Sequence, residues 1–89
     1  MTAPFNINKN DFILLSIGDC VLKCRVWSAV WYEDNGYAME YFILDNNKKP
    51  AGNNSTEFGY WKQWTDGGRI LSHGSEETVD SFLEQMLVN

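Results

Sequence analysis

His73 is the single histidine of the chain, and Ser72 precedes it. A Ser–His–Asp arrangement needs an imidazole held by a carboxylate and facing a hydroxyl. Neighbours on a strand point to opposite faces, so Ser72 and His73 cannot act on one another. The other candidate nucleophiles are Cys20 and Cys24. Nothing local marks a Cys–His pair with either thiol, and His73 reads as a polar residue at a strand end. On a strand the two cysteines share a face about 13 Å apart, too far for a disulfide or a common zinc ion. They are expected to be reduced thiols that serve as small apolar core residues. Gly67-Gly68 is not followed by Lys-Ser or Lys-Thr, and Gly18-Asp19 has no glycine pattern around it, so no phosphate-binding loop is present. The acid pairs Glu33-Asp34 and Glu76-Glu77 fall at a turn and a helix start, and neither reads as a site tuned for acid–base work. The expectation is a protein without catalytic residues, metal ligands or cofactor.

Two features suit binding instead. Glu76, Asp80 and Glu84 stand at i, i+4 and i+8, one carboxylate per helical turn, and no lysine or arginine follows Arg69. Like charges at this spacing destabilise a helix by a few tenths of a kcal/mol per pair. A stripe of this kind fits a basic surface on a partner protein. The second feature is the aromatic content, 4 Trp, 4 Tyr and 5 Phe. Trp27, Trp31 and Trp61 are the candidates for partner contact, since Trp carries large contact area on few rotors. A second arrangement is a small-molecule or nucleotide-binding module with an aromatic pocket around Tyr60 and Trp64, formed between protomers at a homo-oligomer interface, with Lys23, Arg25 and Arg69 reaching the phosphates.

The elements that must position these residues come from a chain of 89 residues with a formal net charge of −5. That length suits one small α+β domain over residues 1–89, with a modest core. An apolar share of 44% is too high for a disordered acidic tail. No apolar run is long enough to span a bilayer. Met1 to Phe5 lacks a basic region followed by an apolar stretch, so no signal peptide is expected and a cytoplasmic location follows. Asn46 to Ser55, NNKKPAGNNS, reads as a loop, and its two glycosylation-like triplets read as loop composition.

Phe12 to Ile17 is an apolar run between Asn10-Asp11 and Gly18, read as a short N-terminal helix with a strand as the alternative. Cys20 to Tyr32 alternates as a long strand. Asn35-Gly36 suits a type I′ turn. A two-residue turn there sets Tyr32 opposite Met39, Trp31 opposite Glu40 and Ala29 opposite Phe42, within a return strand over Tyr37 to Asp45. Thr56 to Thr65 and Arg69 to His73 read as a second hairpin around Asp66-Gly67-Gly68, with Trp64 paired to Leu71. Ser75 caps a final helix whose apolar stripe is Val79, Phe82, Leu83, Met86 and Leu87. The expected architecture is an antiparallel sheet of about four strands with this helix on one face.

The order of aromatic strand, Asp-Gly-Gly turn, short strand and helix over residues 57–87 resembles the layout of the WGR domain, without the Trp-Gly-Arg tripeptide. That resemblance implies nucleic-acid binding. A balance of −5 opposes direct phosphate contact. The charge is uneven, with six acids against five bases in residues 1–50 and six against two in residues 51–89. The reading that follows is a non-catalytic acidic interaction module or inhibitor. Small inhibitors encoded by phages and mobile elements, anti-CRISPR and other counter-defence proteins among them, share its size and charge. Spare apolar faces leave room for a homo-oligomer.

Overall fold

The structure, a computed structural model, describes residues 3–46 and 57–88. Its elements are β1 (Phe12–Ile17), β2 (Cys20–Tyr32), β3 (Gly36–Asn46), β4 (Glu57–Lys62), α1 (Gln63–Asp66), β5 (Arg69–Gly74) and α2 (Glu76–Val88). Five antiparallel strands make one sheet in the order β4-β3-β2-β1-β5. The architecture is α+β as expected, with one strand more than the sequence suggested. The tract at 47–56, with its glycosylation-like triplets, lies outside the described residues.

The added strand is β1, where a short helix was expected. Asn10 takes a positive φ of 74°, and Asn8 and Asp11 close a turn through Asn8 N–H to Asp11 Oδ2 at 2.8 Å. Asn10 N–H donates to Val26 O, and Val26 N–H donates to Asp11 O, so this turn is stitched to β2 before β1 begins. Asn10 and Asp11 therefore make a turn and not a helix cap. Gly18 ends no helix. With φ of 57° it takes the first central position of the Gly18-Asp19 turn that pairs Ile17 with Cys20.

The β2–β3 hairpin also departs from expectation. Asn35 N–H donates to Tyr32 O, and Asp34 carries the positive φ, so the turn spans Glu33 to Asn35. Trp31 then faces Tyr37, and Ala29 faces Met39. This shift of register changes which face each pair occupies. A bulge between Val26 and Ser28 adds a second change of phase within β2. Cys20, Leu22, Cys24 and Val26 point to one face, and beyond the bulge Ala29 and Trp31 continue it.

That face is the core. Ile13, Leu15, Leu22, Cys24, Val26, Tyr37, Met39, Tyr41 and Trp61 are buried there. The N-terminal segment lies across it, with Ile7 buried and Phe5 stacked on both Tyr37 and His73. The hydroxyl of Tyr37 donates to Phe5 O. The final helix does not cover this core. It packs on β5 and β1 from the opposite face, where Leu14 and Val79 are fully buried. Ser75 caps it as expected, its Oγ accepting Thr78 N–H at 3.1 Å.

The Asp66-Gly67-Gly68 segment does not form the expected hairpin, and Trp64 does not pair with Leu71. Residues 63–66 form α1, and β5 pairs with β1 at the far edge of the sheet. The order of strand, turn, strand and helix over residues 57–87 is present, but its two strands lie at opposite edges of the sheet and do not pair. A flat sheet would separate β4 from β5 by four strand spacings, about 19 Å. The connection over residues 63–68 advances about 6 Å along α1 and at most about 10 Å over Gly67-Gly68, about 16 Å in all. The short crossover thus holds the sheet curled around its core. Trp61 Nε1–H donates to Gly67 O at 2.7 Å, fastening β4 to the crossover. Gly68, with φ of 89°, presses so closely on β1 that a Cβ would lie 2.2 Å from Ser16 O. Gly68→Ala is expected to cost about 2–3 kcal/mol, from a forbidden φ plus the displacement of β1. Urea denaturation measures this, and a loss below about 0.5 kcal/mol would contradict the account of the crossover.

Candidate functional site

The bulge in β2 creates the most unusual surface of the molecule. Val26 pairs with Tyr41 and Ser28 pairs with Glu40, which leaves Trp27 as the extra residue. A bulge of this kind lets two successive side chains share a face. Trp27 is exposed on the outer face beside Ser28, whose Oγ donates to Glu40 Oε1 at 2.8 Å. Helix α2 covers the part of that face over β5 and β1. Among the described residues, α2 does not pack on the part over β2, β3 and β4, and this is the open half.

Register assigns the open half its rows. Arg25, Phe42 and Phe58 lie side by side, then Ser28, Glu40 and Tyr60, then Val30, Ala38 and Lys62. Trp27 meets Phe42 edge-on at 6.1 Å, and Phe42 meets Phe58 edge-on at 5.1 Å. Trp27, Phe58 and Tyr60 remain 46%, 48% and 56% exposed. Cations cover the rings. Lys9 Nζ stands 3.9 Å from the centre of Trp27, Arg25 lies 5.6 Å from that of Phe42, and Lys62 lies 5.7 Å from that of Tyr60. A shallow cleft of about 130 Å³ opens beside Ser28, Val30, Tyr32 and Tyr60.

The acidic stripe is only partly free. Lys23 Nζ lies 2.9 Å from Glu76 Oε2 and 2.7 Å from Asp80 Oδ1, so two of the three carboxylates tie α2 to the sheet. Burial works against the Lys23 ammonium, but the hydrogen bonds and charges of Asp80 and Glu76 outweigh it and hold its pKa above the ordinary 10.5. Because both acids are about half exposed, water screens the pair and its net worth is small. Glu84, one turn on, is exposed. The stripe opposite is used incompletely. Val79 is fully buried and Leu83 half-buried, whereas Phe82 and Met86 stay more than one third exposed. The side chain of Leu87 lies outside the described residues.

The tryptophans expected to contact a partner are divided. Trp27 is on the open face. Trp61 is fully buried and bonded to Gly67, which removes it from any partner surface. Trp31 points inward, packed edge-on against Tyr37 at 5.0 Å. Within one chain the five residues of the expected pocket stand apart. Lys23 is held by α2, and Arg25 and Tyr60 stand in different rows of the outer face. Trp64 sits on α1 against Tyr32 at 5.3 Å. Arg69 lines an inner cleft of about 180 Å³ with Phe5, Trp31, Tyr37 and Gln63. Lys9, Phe42, Phe58 and Lys62 were not singled out from the sequence. The alternation of Phe58, Tyr60 and Lys62 is the signal that marks a shared face.

His73 stacks on Phe5 at 4.2 Å and faces Ile13, which also faces Cys24. The backbones of Cys24 and His73 are therefore two strand spacings apart, about 10 Å. Both cysteines are free. Among the described residues, no group of three or more His, Cys, Asp or Glu side chains is placed to hold a metal ion. No described helix is long and apolar enough to cross a membrane. No family model, curated protein or solved structure matches the chain.

Burial pushes the Cys24 thiol up to about 12. It also raises the Tyr37 and Tyr41 hydroxyls above their ordinary value. For Cys24 the folded state holds its proton more tightly than the unfolded state, whose thiol titrates near 9.0. Its contribution to stability is complete below that pH and drains away as pH climbs toward 12, and the two tyrosines act in the same direction. Unfolding free energy should be level from pH 7 to 8 and decline steadily above pH ~9. A level profile across the alkaline range would contradict this burial.

Proposed function

We propose that the protein is a non-catalytic interaction module that uses α2 to occupy an apolar groove with a basic rim on a partner protein. The observation that carries this reading is the half-used helix. Its own sheet buries Val79, yet Phe82 and Met86 remain exposed beside Asp80 and Glu84. An amphipathic helix with apolar residues at i and i+4 is a common unit of groove recognition. Carboxylates along the same helix select a partner rim of lysine and arginine and speed the encounter. Such a module acts by occupancy, as a small acidic inhibitor does, and its size, acidity and separated His73 and Cys24 are in keeping with that.

The experiment is site-specific photo-crosslinking in cells that naturally make the protein, with the probe at Phe82 or Met86. The expected result is one discrete protein adduct, lost when Asp80 and Glu84 are both changed to Lys. Because α2 also relies on Asp80, Glu84→Lys alone serves as the check and should reduce the adduct severalfold. An adduct yield no higher than from a probe at exposed Thr65 would overturn the reading.

A further inference from the structure

The chain is acidic, but its charge is sorted by surface. Glu76, Glu77, Asp80 and Glu84 all lie on α2, over one part of the sheet. Lys9, Arg25 and Lys62 stand over the aromatic rings of the open half. Glu40 is a carboxylate on that half, hydrogen-bonded by Ser28, and register sets Asp45 of β3 opposite Lys23. Asp66, which follows Lys62, is turned to that residue's backbone N–H at 2.8 Å. A phosphate responds mainly to charge within a Debye length, ~8 Å at physiological salt, so the net charge of the whole chain is a poor guide here.

We propose that the open outer half of the sheet binds single-stranded nucleic acid. Trp27 on β2 and Phe58 and Tyr60 on β4 offer ring faces near the half-exposed level, on adjoining rows to either side of β3. Unstacked bases lie on such rings with little regard to sequence, because every base has a π face. The cations now resting on Trp27, Phe42 and Tyr60 are on long side chains. As a base takes the ring, each can swing aside to a phosphate oxygen, so stacking and charge neutralisation are met by the same ring–cation pairs. A duplex keeps its bases stacked inside and cannot use these rings. An apolar protein surface would have to bury three cations on this half, where Glu40 is already engaged by Ser28, which is costly. The proposal is independent of the partner assigned to α2.

The test uses the full chain and labelled single-stranded oligonucleotides, one of DNA and one of RNA, followed by fluorescence anisotropy and quenching of tryptophan emission. The expected result is binding of at least one oligonucleotide with quenching, and at least tenfold weaker binding to a duplex of the same length. Three phosphate contacts predict a salt dependence with a slope of about −2 in log K against log salt. Tyr60→Ala and Phe58→Ala should each weaken binding roughly tenfold. Both side chains are on the surface, and circular dichroism checks that each variant is folded. Arg25→Gln should reduce the salt slope by about 0.7 without changing the fold. Absence of binding at low salt overturns the proposal. So does binding that ignores the aromatic substitutions or prefers the duplex, since either would be non-specific attraction to cations.

Discussion

Between Val26 and Ser28 the pairing of β2 with β3 slips by one residue, and Trp27 is left without a partner across the ladder. A strand otherwise alternates strictly, so one added residue reverses the facing of everything beyond it. Here it turns Ala29 and Trp31 inward to meet Met39 and Tyr37, and leaves Ser28, Val30 and Tyr32 outward. The Asn8–Asp11 turn reaches β2 at this point, its backbone bonded to Val26 on both sides. Inner core and outer aromatic face are thus two results of the same irregularity.

The second constraint is the short crossover after β4. It forces β5 to the opposite edge, so the sheet curls and Trp61 is drawn into the core. With the core closed by the N-terminal segment and by Trp61, α2 is left to the outside. There it is held by Leu14 against Val79 and by Lys23 between Glu76 and Asp80. The same placement divides the outer side into an acidic helix and a cationic aromatic sheet. A protein with a net charge of −5 can therefore offer a surface of each sign.

Much of this was legible in the residues. The alternation of Cys20 to Val26, the capping Ser75 and the periodicity of Val79, Phe82 and Leu83 all mark elements that formed. What was not legible depended on long-range pairing. Phe12 to Ile17 has an apolar run that fits helix or strand, and β2 and β5 on either side decided it. Asn35-Gly36 pointed to a two-residue turn, but Asp34 accepts positive φ, the loop is the three residues Glu33 to Asn35, and the partner of Trp31 moves by three residues from Glu40 to Tyr37. Trp61 and Trp27 are alike by composition and opposite in burial, because the bulge and the crossover that separate them leave no local signature. The acid spacing on α2 was correct, and the Lys23 that engages it lies 53 residues away in sequence from Glu76.

The most direct test of the bulge is a set of cross-strand nuclear Overhauser contacts in solution. The structure predicts backbone contacts of Ser28 with Glu40, Ala29 with Met39 and Trp31 with Tyr37, and Val26 with Tyr41 on the other side of the bulge. Contacts of Ala29 with Ala38 and Trp31 with Gly36 would instead continue the Val26–Tyr41 register without a bulge. They would place Trp31 outward, and the account of both faces would fail.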